Sequence, residues 1–183
     1  MKSLGVIGGL GPMATAYFLE LIVKMTEASC DQEHLDITIL NRPAVPDRTA
    51  CILGKSKESP VPMMAEAAKT LESLGASCIA VPCITSHYYF RELQKAVSIP
   101  FIHLVKETAA HLKENGVKTA GILATSGTVS TRLFQQALEA VVVLAVDDAD
   151  EVPVGQGILP QHLLELLLQL LHHHRGILDR HRI

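Results

Sequence analysis

Ser3-Leu4-Gly5-Val6-Ile7-Gly8-Gly9-Leu10-Gly11-Pro12 is the stretch from which the fold is read. Ser3–Ile7 is a short apolar run that stops at three glycines and a proline, and from Met13 to Met25 the residues Phe18, Leu21, Ile22 and Met25 fall at helical spacing. This order reads as a buried strand, a tight turn and a helix. The same alternation continues along the chain. Leu35–Leu40 is a second strand, Met63–Leu74 an amphipathic helix stopped by Gly75, and Cys78–Pro82 a third strand. Thr85–Val97 reads as a helix, Ile99–His103 as a fourth strand, Lys106–Asn115 as a helix stopped by Gly116, Lys118–Ala124 as a fifth strand and Ser130–Ala140 as a helix. Between the second strand and its helix, Asn41-Arg42-Pro43-Ala44-Val45-Pro46-Asp47-Arg48-Thr49 is expected to be a loop, because two prolines in four residues do not fit a central strand. Continuous apolar strands alternating with helices predict the α/β class, an open doubly wound parallel sheet covered on both faces. In that class ligands sit beyond the carboxyl ends of the strands, so the loops after Ile7, Leu40, Pro82, Ile102 and Ala124 are where chemistry is expected.

Composition narrows the partners. The 183 residues suit one domain, or two small ones built closely together, and are enough to bury a sizeable core. With 48% hydrophobic and 19% charged residues the chain is globular rather than disordered. A mean hydropathy of +0.27 places much of it inside. A net charge of −3 without a basic stripe argues against nucleic acid and anionic membrane, and 4% aromatics without Trp leave no stacking platform for single strands. No apolar run is long enough to cross a membrane. Lys2, the stretch from Leu4 and Ala14-Thr15-Ala16 imitate a signal peptide, but Gly8, Gly9, Gly11 and Pro12 interrupt it. Cys30, Cys51, Cys78 and Cys83 show no paired spacing, which argues against a disulfide framework or zinc site and fits a reducing cytoplasm.

Four loops carry residues able to do chemistry. Gly9-x-Gly11-x-x-Ala14 formally satisfies a dinucleotide fingerprint, yet the second strand ends in Asn41 where an acid is wanted. A tight turn packed on a helix, or an anion held by turn amides, fits equally. Asp47-Arg48-Thr49 offers a guanidinium fork for a carboxylate, or a solvated surface charge. In Val81-Pro82-Cys83-Ile84-Thr85-Ser86-His87 the thiol of Cys83 lies at a strand end and a helix start, where free N–H groups favour a thiolate. An inert buried cysteine is the alternative, for which Cys78 is the better candidate. His87, four residues on, is expected to share the face of Cys83. Thr125-Ser126-Gly127-Thr128 supplies hydroxyls that either hold a carboxylate or precede a helix capped at Ser130.

Taken together, Gly5-Val6-Ile7-Gly8-Gly9-Leu10-Gly11-Pro12-Met13-Ala14-Thr15, the segment from Asn41-Arg42-Pro43 through Pro46-Asp47-Arg48-Thr49, Pro82-Cys83-Ile84-Thr85-Ser86-His87 and Leu123-Ala124-Thr125-Ser126-Gly127-Thr128 resemble the aspartate/glutamate racemase family, nearest its aspartate racemase branch. The resemblance covers about residues 3–140. It implies two pseudo-symmetric subdomains, no cofactor, a homodimer, an acidic amino acid (aspartate or glutamate) as substrate, and inversion by two cysteines on opposite faces of the α-carbon. Cys83 matches the first of those bases and Arg48 the position that binds the side-chain carboxylate. Thr85, with the turn at Gly11 and the hydroxyl of Thr125, matches positions that hold the α-carboxylate and amine.

The sequence departs from the family pattern at several points. Ile84 stands where the family has Asn. No Cys follows Cys83 and no Lys follows Lys118, so the second base and a late substrate-binding Lys have no match. Residues 1–105 are expected to form the first subdomain, 106–146 the start of an incomplete second, and 147–183 a divergent segment containing Leu163–Leu171, seven Leu in nine, and His172–His174. An out-of-frame C-terminus past Ala140 or a genuine Leu-rich terminal helix would each account for it. An amino-acid racemase, a dicarboxylate-binding protein without catalysis, and a one-thiol isomerase or decarboxylase are the functions that follow.

Overall fold

A computed structural model of the chain describes residues 3–138 and the backbone of residues 142–146. Three parallel strands, β1 (Ser3–Gly8), β2 (Asp36–Asn41) and β3 (Cys78–Ala80), form a sheet in the order β2-β1-β3. β1 is the centre, and its Leu4–Gly8 are all buried, as a strand covered on both faces requires. Its side chains alternate between two cores. Leu4 and Val6 pack with Phe18, Leu21 and Ile22 of helix α1 (Pro12–Met25) and with Leu104. Ile7 packs on the other face with Met64, Ala67 and Leu71 of helix α3 (Val61–Ser73) and with Leu93. Helices on both faces of a parallel sheet are the doubly wound arrangement that the alternation predicts.

The fourth predicted strand, Ile99–His103, shrinks to a single parallel bridge between Ile79 and Phe101. Ile79 N–H donates to Pro100 O at 2.9 Å and Ile102 N–H donates to Ile79 O at 2.8 Å. Pro100 has no N–H with which to extend the ladder. Next comes helix α5 (Leu104–Glu114), which joins the two halves: Leu104 belongs to the core under β1, while Val105 packs with Phe134 and Leu138. Strand β4 (Thr119–Leu123) pairs in parallel with β5 (Val142–Val146) in a second, two-stranded sheet, with Thr119 opposite Val142.

Three further expectations are corrected. Inside the predicted 41–49 loop a short helix α2 (Arg48–Ile52) begins, because the Asp47 carboxylate accepts from Ala50 N–H at 3.1 Å and caps it. The helix expected over Thr85–Val97 is a 3-10 helix over Ile84–Tyr89 followed by α4 (Phe90–Gln94). The helix expected over Ser130–Ala140 starts earlier, as α6 (Ser126–Thr131) capped by Thr125 rather than Ser130. It breaks at Arg132, whose φ of 56° is left-handed, and resumes as α7 (Leu133–Ala137). In α6 the hydroxyl of Thr131 turns back onto the carbonyls of Gly127 and Thr128 (3.0 and 2.9 Å), a local competition that weakens a helix. The end of that predicted helix and the expected segment 147–183, with its Leu and His tracts, lie outside the described residues.

Candidate active site

The glycine-rich turn after β1 builds one wall by close packing. A Cβ on Gly9, whose φ is +90°, would lie 2.5 Å from the backbone of Arg42. Gly9 N–H is taken by the Thr15 hydroxyl at 2.9 Å, and Arg42 N–H by Gly8 O at 3.0 Å. These amides are therefore spent on joining the turn to α1 and to the end of β2. That fits the packed-turn reading of the glycines and leaves little for a dinucleotide.

The carboxyl ends of the strands converge on a cavity of about 460 Å³. Leu10 from the turn, Asp47, Arg48, Thr49, Ala50 and Lys55 from α2 and its flanks, Cys83 and Thr85 after β3, and Thr125 after β4 line it. Four of the five residues singled out from sequence, Arg48, Cys83, Thr85 and Thr125, thus share one space. Gly11 does not line it; it is exposed at the start of α1, and its neighbour Leu10 occupies the wall instead.

Arg48 is half-buried and held rigidly. Its Nη1 donates to Val45 O (3.2 Å) and Pro46 O (3.1 Å), and its Nη2 to Leu10 O (3.4 Å). Nε is buried without a hydrogen-bond partner. Of the five N–H donors on a guanidinium, Nε–H and one on Nη2 remain, the edge that grips a carboxylate with two parallel bonds. No described carboxylate pairs with Arg48; the ion pairs among described residues are Lys24–Glu20 and Arg42–Glu66.

Across the cavity, Cys83 begins the 3-10 helix. His87 does not face its thiol. Ring Nδ1 of His87 binds the carbonyl of Cys83 at 3.0 Å, and Nε2 accepts Leu104 N–H at 3.1 Å. An acceptor at Nε2 places the ring proton on Nδ1, which donates to Cys83 O. Because that carbonyl also accepts Ser86 N–H at 3.2 Å, the bond an α-helix would give to the His87 amide is replaced, and the turn tightens. Burial pushes the His87 imidazolium down to about 4, so the ring is neutral near pH 7. With both nitrogens used, His87 is neither a metal ligand nor a base. Among the described residues no three His, Cys, Asp or Glu cluster as a metal site.

Three hydroxyls meet where the halves touch. Thr85 Oγ1 lies 3.0 Å from Thr125 Oγ1 and 2.9 Å from Thr128 Oγ1, and Thr125 and Thr128 are 3.3 Å apart. Three hydroxyls carry three donors, and the two shorter contacts suffice to connect them, so opening the longer Thr125–Thr128 contact would free one O–H for an anion in the cavity. Close approach makes this possible: a Cβ on Gly127 would lie 2.8 Å from Thr49 Oγ1, so α6 packs directly on α2. Sequence reasoning missed Lys55, and it took in Thr128 only as part of the Thr125–Thr128 segment, without singling it out. The i, i+3 spacing of Thr125 and Thr128 was the available signal that singles out Thr128.

The chain belongs to the Asp/Glu/hydantoin racemase family, whose sequence model matches residues 7–175. This match carries the resemblance well past residue 140, where the motif-based reading ended it because no second cysteine follows Cys83. The chain is 30% identical over 142 residues to the broad specificity amino-acid racemase RacX of Bacillus subtilis, covering 74% of this chain and 60% of that one. Its fold is similar to an aspartate racemase of Picrophilus torridus (34% identity, TM-score 0.76, 80% of this chain and 63% of that one). It is also similar to an aspartate racemase homologue of Pyrococcus horikoshii (22% identity, TM-score 0.64, 82% and 67%), which bears on the fold alone. The chain spans about three fifths of the length of the first two. No helix among the described residues is long and apolar enough to cross a membrane.

Proposed function

We propose that the chain acts on the α-carbon of an acidic amino acid, with Cys83 as a cofactor-independent base. The observation that carries this reading is the convergence of Cys83, Arg48, Thr85 and Thr125 on one cavity. Arg48 takes the side-chain carboxylate through its free edge, and the threonine hydroxyls take the α-carboxylate. The Cys83 thiolate removes the α-proton and becomes a thiol, while the electron pair left on carbon spreads into the hydrogen-bonded carboxylate. Returning a hydrogen from the same thiol restores the original configuration. Inversion needs a second acid on the far face, and no Cys follows Cys83 in the sequence. Cys30 is exposed beside a 3-10 turn and Cys51 packs against the core under α3, and neither lines the cavity. With Cys83 the thiol that lines the cavity among the described residues, the reading is proton exchange on one face of the α-carbon.

A second reading, a dicarboxylate-binding protein without turnover, is favoured by the missing second base and by Ile84 in place of a polar residue. Cys83→Ser separates the two. The first reading expects exchange of the α-hydrogen of L-aspartate with solvent to disappear while aspartate binding survives. Unchanged exchange removes Cys83 as the base.

A further inference from the structure

The cavity lining includes a second cationic residue, Lys55, to which the proposed function gives no task. Lys55 lies just past α2, where Gly54, with φ +70°, turns the chain back. Lys55 N–H (2.8 Å) and Ser56 N–H (3.1 Å) both close onto Ala50 O. This backbone clasp ties Lys55 to the helix that carries Arg48, and Lys55 joins Arg48, Thr49 and Ala50 on the same wall. Its ammonium has no ion-pair partner among the described residues. The charged lining is Arg48, Lys55 and Asp47, formally one net positive charge. An acidic amino acid, with two carboxylates and an ammonium, carries one net negative charge, and a neutral amino acid carries none. Arg48 has already spent three donors on carbonyls, whereas the three N–H donors of a lysine are compact and rotatable.

We propose that Lys55 is a specificity-determining residue, the second cation of a two-cation clamp that selects a side-chain carboxylate over a neutral side chain. The proposal rests on the assignment of the cavity as the substrate site, but not on turnover. It is tested by titrating the full chain with succinate and with butyrate, a dicarboxylate and a monocarboxylate of equal carbon number. Lys55→Met should weaken succinate about tenfold and leave butyrate unchanged, and Lys55→Arg should keep most of the succinate affinity. Succinate binding unchanged in Lys55→Met, or both ligands weakened equally, overturns the proposal. If succinate depends on Lys55 in a protein whose α-hydrogen exchange is absent, the clamp stands and the catalytic reading falls.

Discussion

Arg48 shows how one side chain is both locked and available. Its guanidinium sits against three carbonyls, of Val45, Pro46 and Leu10, which supply geometry without cancelling charge. A charge held against neutral acceptors and unpaired with any described acid is arranged to meet an anion. Replacing Arg48 by Ala should therefore weaken L-aspartate about tenfold more than L-alanine, in binding or in exchange kinetics. Equal losses for both amino acids would take Arg48 away from the side-chain end. At this scale the strand-end loops point to Cys83, the family resemblance adds Arg48, Thr85 and Thr125, and these four line one cavity. Lys55 carries no such mark, since a lysine after a short helix reads as solvated surface until the chain reversal at Gly54 is seen. Gly11 lies outside the cavity lining, and a glycine beside a ligand-binding turn and one that starts a helix look the same in sequence. His87 was placed by an α-helical period that the local backbone does not follow.

The 3-10 helix over Ile84–Tyr89 is the element that ties Cys83 to the rest of the molecule. His87 bridges the carbonyl of Cys83 and the amide of Leu104, so the start of α5 and the position of Cys83 are set by one ring. That ring is buried, and its imidazolium form is disfavoured first by desolvation and then by His103, whose ring centroid is 5.4 Å away. In the unfolded chain a histidine binds its proton near pH 6.5, and in the fold this one does so only near pH 4. The unfolded state therefore holds more protons between those values, and stability falls as pH is lowered through them. The contribution is fully present above pH 6.5, and roughly 3 kcal/mol of it is lost by pH 4. Denaturant titrations at pH 7 and pH 5 should show this loss in the wild type. His87→Phe should be less stable at pH 7, because Leu104 N–H loses its partner and Cys83 C=O loses one of its two, and it should lack the acid-dependent step that belongs to His87. An unchanged pH dependence in the variant would assign that step elsewhere. The elements themselves were legible from apolar runs and period. What was not legible depended on side chains bonding to backbone: the Asp47 cap that starts α2, the His87 bridge that tightens the turn, and the threonines that shorten α6.

At the scale of the molecule, β1, β2 and β3 with α1 and α3 make a sheet covered on both faces, and α5 carries the chain across to β4 and β5. The threonine cluster and the contact of Gly127 with Thr49 close the cavity between the halves, so the site needs both. This arrangement was foreseeable, because strand–helix alternation places all the strand ends on one side. The extent of the family match was not, because a missing cysteine motif ended the motif-based reading near residue 140 although the match runs to 175. The central claim is that this chain presents one thiol to the α-carbon. It is tested by incubating the folded protein with L-aspartate in D2O while following the α-hydrogen and the appearance of D-aspartate together. The account predicts deuterium entering L-aspartate without formation of the D-enantiomer. D-aspartate appearing at the rate of exchange would mean that a second acid faces the substrate, and no exchange at all in protein that binds aspartate would mean that Cys83 is not a base.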